Sequence, residues 1–528
     1  MSLENFTTTA SHISLAPRSL SSSSSSYSLS PASPASPSTS PSDSESCPIM
    51  ASAASSFQQN VSYEQLATHS TLVCEAFDEA LCDASPISML PNYEISPSGN
   101  ECGDFLVVDL GGSTLRVAVI SIAAASGIEC YESRNSRISI VTSKSWTVEN
   151  SCKVVNKDFF AWIGAKIVET LADQSVLSSS SLITTGITWS FPLESIAYNK
   201  ANIFHMAKGF VIDEDIVGRD LKELLESTMS QTYGIRIDVQ SIINDSLAVF
   251  SAARFLDPST MLAMVLGTGL NFCCQLAASD KISPKKLLHD EDYVLFNTET
   301  SLFGHTLIPS LANRYDCIID SRFAGVTSFL PHMSVDPETN TIFQPFELLA
   351  SGRYLPELAR LVLVDVIAKK EIFANQKNFE SFSTRYQGIT GELLCYISES
   401  KDDFAVAERV EKCFHWAPRS VSLSDVASLR LLVTSIIRRA AFIVAIAIVA
   451  YVKLLARHNG KFSTGIIAIG YVGSVMEYFS ELRRWVLEFV NKCADVSELG
   501  VRVTLQSINE SSLVGTAIAA ASQCARSQ

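Results

Sequence analysis

The chain lacks the patterns that usually announce a metal or redox protein. Its 13 cysteines contain no C-x-x-C pair, and its 8 histidines show no H-x-x-x-H or similar ligand spacing. A structural zinc is therefore not expected, and scattered cysteines without a secretory h-region fit free thiols in a reducing compartment. Basic residues are the scarcer charge, with 40 Lys and Arg against 55 Asp and Glu and a formal net charge of −15. That sign argues against a broad nucleic-acid footprint, so nucleic acid is not an expected partner. The strongest apolar block, Ala440–Val452, lies within Ser435–Leu455 between Arg438-Arg439 and Lys453. It is too short to cross a bilayer and reads as a buried helix, so no membrane span is expected. The first residues also lack the Arg-rich amphipathic pattern of a strong transit peptide. These absences together give a cytoplasmic expectation, with a nuclear pool left open.

What is present suits a globular chain. At 528 residues and 47% hydrophobic content, there is enough apolar surface for one or two sizeable cores. Residues 1–56 are the exception. Ser21–Ser26 and Ser30–Ser42 are Ser/Pro-rich, with Ser-Pro pairs at Ser30, Ser33, Ser36 and Ser40. Such a stretch cannot offset its ordering entropy, and it is expected to be a disordered tail. The pairs read as solvated tail or as phosphorylation sites, and the tail could dock a regulatory protein.

Order is expected from Tyr63–Leu81, where Leu66, Leu72, Val73, Phe77 and Leu81 form one helical stripe. Further helices are predicted over Phe159–Leu171, Asp220–Met229 (Asp220 near its cap), Ala248–Phe255 and Val514–Ala521. Phe346–Val364 reads as helical with a break at Pro356. Strands are predicted at Phe105–Val108, Leu182–Thr188, Ile237–Ile243, Met261–Leu266, Leu295–Glu299 and Ile466–Ile469.

One stretch organises the rest. In Asp104–Val119 a short β-prone run ends at Asp109, and Gly111-Gly112 turns the chain. Ser113 and Thr114 add hydroxyls, and Leu115, Val117 and Val119 alternate on the way back. A hairpin tip of this kind lets backbone N–H groups approach phosphate oxygens. Asp109 is placed to hold a metal ion through water, or simply to cap the turn. A second strand and Gly/hydroxyl turn follows at Gly267-Thr268-Gly269-Leu270-Asn271.

Taken together the pieces resemble the hexokinase family, from Met89-Leu90-Pro91 nearly to the C-terminus. The family's phosphate loop Asp-Leu-Gly-Gly-Thr-Asn-x-Arg-Val is matched by Asp109-Leu110-Gly111-Gly112-Ser113-Thr114-Leu115-Arg116-Val117. Its Ser-Phe-Pro and Thr-Lys-Gly-Phe are matched by Ser190-Phe191-Pro192 and Ala207-Lys208-Gly209-Phe210. Its Asn-Asp-Thr is Asn244-Asp245-Ser246, and its second phosphate loop is Gly267–Asn271. Two later sugar-binding glutamates match Glu299 and Glu347. The resemblance implies an α/β chain of the two-lobed actin-like ATPase (ribonuclease H-like) fold with a central cleft. Its lobes would be 57–258 (small) and 259–523 (large). There is no Walker-A pattern, and this fold does not use one.

The resemblance also implies roles. Asp245 would be the catalytic base, with capping of the next helix as its alternative. Lys208 would supply positive charge near sugar and phosphoryl group, and Arg116 would neutralise phosphate charge or merely pair on an edge strand. Ser190, Lys208, Asn244, Asp245, Asn271, Glu299 and Glu347 would bind the hexose. Asp109, Gly111, Gly112, Ser113, Thr114, Gly267, Thr268, Gly269, Gly473, Ser474 and Ser512 would bind ATP, with Asp109 the Mg²⁺ residue. The implied reaction is ATP-dependent phosphorylation of a hexose such as glucose at its 6-hydroxyl, feeding glycolysis. Several positions depart from the family pattern: Thr114 for Asn, Ala207 for Thr, Val472 for Asp before Gly473-Ser474, and Asn509-Glu510-Ser511-Ser512-Leu513 for Glu-Asp-Gly-Ser-Gly. Leu513 is expected to add bulk on the nucleotide side. A catalytically impaired sugar sensor is therefore the alternative reading.

Overall fold

The computed structural model describes residues 48–83, 87–127, 130–172, 182–191, 193–204, 206, 209–287, 292–324, 342–386, 388–462 and 464–526. The tail before residue 48, with its Ser-Pro pairs, lies outside the described residues, as do Pro192, Ala207 and Lys208.

Order begins before the expected boundary at residue 56. Helix α1 (Pro48–Gln58) buries Met50, Ala53, Ala54 and Phe57, the i, i+3, i+4, i+7 spacing of one helical face. Its Ser/Ala content resembles the tail, but this narrow stripe seats on a long apolar helix. Phe57 is wholly buried, stacks on Tyr315 at 6.1 Å and lies 4.7 Å under the Arg439 guanidinium. Helix α2 (Tyr63–Cys82) starts at Ser62, whose side chain accepts from the Gln65 N–H. Leu66, Val73, Phe77 and Leu81 are buried as expected, whereas Leu72 is 38% exposed. Six residues on from Leu66, it falls roughly 240° round the helix, off the stripe.

Two sheets follow. The first holds β2 (Gly103–Leu110), β3 (Thr114–Ile122), β4 (Ile138–Thr147), β5 (Ile183–Trp189) and β6 (Ile237–Ile243), in the order β6-β5-β2-β3-β4. The second holds β1 (Leu90–Asn92), β7 (Thr260–Leu266), β8 (Leu270–Ala277), β9 (Tyr293–Asn297), β10 (Ile466–Val472) and β11 (Arg502–Ser507), in the order β1-β9-β8-β7-β10-β11. Both follow one plan. An antiparallel hairpin (β2–β3 or β7–β8) sits beside two strands that add in parallel (β5 and β6, or β10 and β11).

The helices are α3 (Lys157–Leu171), α4 (Leu221–Tyr233), α5 (Asp245–Leu256), α6 (Pro345–Ala350), α7 (Leu355–Ala368), α8 (Leu423–Asn459) and α9 (Ser511–Arg526). Asp220 caps α4, its side chain accepting from the Lys222 N–H. The break predicted near Pro356 is the gap between α6 and α7, and Pro356 sits in the first turn of α7, where its missing N–H is harmless.

Period-two alternation sends β2 side chains to two different cores. Leu106, Val108 and Leu110 pack outward with α3 and α4, while Phe105 and Val107 pack inward against α5 and α9. A strand covered on both faces reads as a continuous apolar run. The inner core also takes Ala263, Cys273 and Leu295 from the second sheet, so α5 and α9 form the layer between the sheets. They approach so closely that a Cβ on Gly515 would lie 1.8 Å from the Ala248 carbonyl oxygen. Neither the sheets nor their helices divide cleanly at residue 258: α1, α2 and strand β1 join the second sheet and its core, and α9 covers the first sheet.

Helix α8 is the centre of the third core. At 37 residues it exceeds the predicted Ser435–Leu455 and is long and apolar enough to cross a membrane, yet 89% of its most apolar window is buried inside the protein. Burial, not shortness, makes it a core helix. Between β1 and β2, Glu94 is buried against β6 and α9. It is 4% exposed, and accepts from Ser241 Oγ at 2.6 Å and from Gln523 Nε2 at 3.1 Å. Burial pushes its carboxyl up to about 7, against the pull of those two donors.

Candidate functional site

The tip of the β2–β3 hairpin is closed by Gly111 N–H donating to Thr114 O at 2.9 Å and is braced by Val148 N–H donating to Ser113 O at 2.8 Å. Just below it the register sets Asp109 opposite Arg116. Arg116 Nε and Nη2 donate to Asp109 Oδ2 at 2.9 and 2.6 Å, and Nη1 reaches Glu510 Oε2 at 3.0 Å. Ser512 Oγ also donates to Asp109 Oδ2, at 3.0 Å, and accepts from Arg116 Nη2. The start of α9 is thereby tied to the first glycine turn through two acids, one guanidinium and one hydroxyl.

The β7–β8 hairpin carries the second glycine turn, with Gly267 N–H donating to Gly269 O at 3.0 Å. Its surroundings differ. Gly352 N–H donates to Gly267 O at 2.7 Å, and Leu270 N–H points to Glu347 Oε2 at 3.4 Å. A Cβ on Gly269 would lie 2.7 Å from that same oxygen, so only glycine lets Glu347 stand where it does. Gly473 and Ser474 lie beside Gly267, a Cβ there meeting Ser474 N at 3.5 Å. Thr268 and Ser474 are exposed at this end of the cleft.

The strand-to-helix turn after β6 brings Asp245 between the two hairpins. Asn244 is the N-cap of α5, its Oδ1 accepting from Leu247 N–H at 3.0 Å and Ser246 Oγ at 3.1 Å. The capping alternative for Asp245 therefore belongs to its neighbour. Asp245 is half-buried in the first turn, where its Oδ1 accepts from Ser246 N–H at 2.8 Å. It lines a cavity of about 440 Å³ with Ser190, Ser512, Asp109, Arg116 and Gly111–Thr114.

The second-lobe polar residues form one network. Asn271 Nδ2 donates to Asn297 Oδ1 at 2.8 Å, Ser246 Oγ shares its one proton between this oxygen at 3.2 Å and Asn244 Oδ1 at 3.1 Å, and Asn297 Nδ2 donates to Glu299 Oε1 at 2.7 Å. Thr300 N–H donates to Asn271 Oδ1 at 3.3 Å. Glu299 holds a positive φ of 51° at the end of this strand. Of the residues expected at the site, Lys208 alone lies outside the described residues.

Two expectations change. Leu513 is 1% exposed and packs into the core between the sheets, because the first turn of α9 directs it inward. Its bulk does not face the cleft, so it is no obstacle on the nucleotide side. Asn297 and Glu510 were missed as site residues. Asn297 could have been found from its place in the Asn-Thr-Glu run that carries Glu299. Glu510 lies in the motif Asn509–Leu513, but its pairing with Arg116, 394 residues away, is not written there.

Two sheets of one plan, each presenting a glycine turn to a cleft with a carboxylate between them, define a two-lobed phosphotransferase of the actin-like ATPase type. Sequence comparison narrows this. Family models described as hexokinase match residues 53–255 and 261–522. N-acetylglucosamine kinase 1 of Candida albicans is 47% identical over 479 residues, covering 90% of this chain and 94% of that protein. Human Hexokinase-3 is 24% identical over 474 residues, 89% of this chain but 46% of that protein, so the chain spans about half of that relative. The solved structure of the hexokinase from Schistosoma mansoni complexed with glucose shares the fold, with a TM-score of 0.68, 20% identity, and coverage of 90% of this chain and 98% of that one. The chain belongs to the hexokinase family and is an ATP-dependent sugar kinase.

Proposed function

We propose that the sugar is N-acetylglucosamine and that its 6-hydroxyl receives the γ-phosphoryl group of ATP. The observation that carries this is the 47% identity to the Candida albicans N-acetylglucosamine kinase 1 over 90% of the chain, about twice the identity to human Hexokinase-3 over a similar span.

The site offers each part of the chemistry. Phosphoryl transfer needs an oriented hydroxyl, a base and compensation of charge on the moving group. Asp245 takes the proton from the 6-hydroxyl as its oxygen attacks the γ-phosphorus, and the bond to the β-phosphate oxygen breaks. Arg116 and the backbone N–H groups of the glycine turns meet phosphate charge, and Lys208 is assigned the same task beside the sugar. Ser190, Asn244, Asn271, Glu299 and Glu347 present donors and acceptors to the sugar hydroxyls.

A magnesium ion fits this donor set. Mg²⁺ usually takes one or two carboxylates and completes its shell with waters and substrate phosphates. Among the described residues no three His, Cys, Asp or Glu gather into a self-sufficient metal site, and Asp109 lies at the end of the strand that leads into the first glycine turn. Asp109 would hold the ion, which supplies positive charge to the phosphates. A sensor without turnover has less support, because Leu513 leaves the nucleotide side clear and Asp245 shares its cavity with the first glycine turn.

The test is ADP release by the full chain with N-acetylglucosamine and with glucose. A kcat/KM higher by about a hundredfold for N-acetylglucosamine is expected, a ratio within reach of one well-fitted substituent pocket. Equal or better use of glucose would overturn the substrate assignment.

A further inference from the structure

We infer that Asn297 is a positioning residue that sets the sugar-facing groups of the second lobe and joins them to the helix that carries the base. This rests on the reading of the cleft as a sugar site. One carboxamide makes three hydrogen bonds. Its oxygen accepts from Asn271 Nδ2 at 2.8 Å and from Ser246 Oγ at 3.2 Å, and its nitrogen donates to Glu299 Oε1 at 2.7 Å. A carboxylate can only accept, so the nitrogen must face Glu299 and the oxygen must face the two donors.

The need for such a holder lies in Glu299 itself. It sits at φ 51°, a backbone region that non-glycine residues seldom adopt, at the end of the strand rather than within it. Its carboxylate is fixed by side-chain bonds more than by a regular ladder. Asn271, on the neighbouring strand, shares the same oxygen as Ser246, the residue after Asp245. Asn297 therefore fixes Glu299 and Asn271 relative to the first turn of α5. It acts through those neighbours rather than on the reacting atoms.

Asparagine is the side chain this place requires. Aspartate has the same shape but loses the donor and sets a second carboxylate against Glu299. Two carboxylates at hydrogen-bond distance cannot both ionise cheaply, so the pair binds a shared proton at raised pH, and that proton restores a donor between them. The other titratable groups around the network are Asp245 beyond Ser246, Glu347 at the second glycine turn, the buried Cys273 thiol opposite Asn297 on β8, and the buried Tyr451 on α8, whose hydroxyl bonds Thr300 Oγ1 at 2.5 Å. Burial pushes that phenol upward, so it stays neutral.

The experiment compares the full chain with Asn297→Asp and Asn297→Ala, measuring KM for N-acetylglucosamine and for ATP between about pH 6 and about pH 8, a range in which a paired carboxylate titrates. Both variants are expected to raise the sugar KM by about 10–100-fold, since each leaves polar partners unsatisfied, with the ATP KM unchanged. The Asp variant alone should recover sugar affinity as the pH falls, while the Ala variant keeps the wild-type pH profile. Asn297→Asp is isosteric and decides the matter if the Ala variant does not fold. Unchanged sugar KM, or no difference in pH profile between the variants, overturns the inference. A wild type whose melting temperature no sugar shifts overturns the sugar site beneath it instead.

Discussion

The two glycine turns sit at equivalent places in two sheets of one plan, yet they are held in different ways. The first is ionic. Asp109, Arg116, Glu510 and Ser512 surround its base, and a Cβ on Gly111 would meet nothing nearer than Thr114 O at 3.6 Å, an ordinary contact. The second is steric and carboxamide-lined. Gly269 is pressed to 2.7 Å of Glu347, and its surroundings are Asn271, Asn297 and Glu299. Two carboxylates and a guanidinium gather at the first turn, while two carboxamides and the carboxylates of Glu299 and Glu347 gather at the second. A side chain at Gly111 would displace nothing, whereas one at Gly269 would push the end of the Glu347 side chain aside.

The largest break comes at the residue between the turns. Asp245→Asn keeps the shape but not the base, and kcat is expected to fall by about 10²–10⁴-fold, while sugar still raises the melting temperature. Turnover equal to wild type in an ADP-release assay would remove Asp245 from the role assigned to it.

The acid buried against β6 and α9 gives the next effect. The Glu94 carboxyl is raised from its ordinary 4.5 to about 7, so in that window the folded chain holds a proton that the unfolded chain releases. Stability is therefore complete below about pH 4.5 for this group and falls as pH rises toward 7, by up to about 3 kcal/mol. Urea midpoints measured on either side of that window should show the slope, and Glu94→Gln should flatten it. A slope that persists in the variant assigns it to other groups.

The turns themselves can be set against each other. Gly269→Ala displaces the end of the Glu347 side chain, and sugar KM is expected to rise about tenfold, within the range for one lost polar partner. Gly111→Ala should fold as wild type and leave sugar KM alone, with its effect confined to ATP KM. Both turns are assigned to phosphate, so ATP KM is expected to rise in each variant, and an unchanged sugar KM in Gly269→Ala would remove Glu347 from the sugar site. Smallest is Glu510→Gln. Its carboxylate is half-exposed in its pair with Arg116, so stability should move by less than about 1 kcal/mol, as read by thermal unfolding.

Legibility in the sequence followed the range of the forces. Strands β2 and β3 were readable because period-two alternation and a Gly-Gly-Ser-Thr turn lie within a few residues of each other. The split between α6 and α7 was readable because Pro356 acts on its own turn. Helix α1 was not, since its Ser/Ala stripe gains its energy from α8, more than 370 residues away, as in the bond from Gln58 Nε2 to the Ser435 carbonyl. The facing of Leu513 was misread for the same reason: one residue near a helix start shows no side until the neighbouring α5 is in place.

By itself the sequence determined the two turns, the order of their motifs, the carboxylate at Asp245 and the membership in a sugar-kinase family. These are local patterns of glycine, hydroxyl and acid, set by backbone geometry within a turn. Only the tertiary structure decided that Arg116 pairs with Glu510, that Glu94 is buried against Ser241 and Gln523, and that Asn297 joins Asn271, Ser246 and Glu299. Those facts depend on distances between residues far apart in the chain, and burial and charge act through such distances, which the order of residues does not contain.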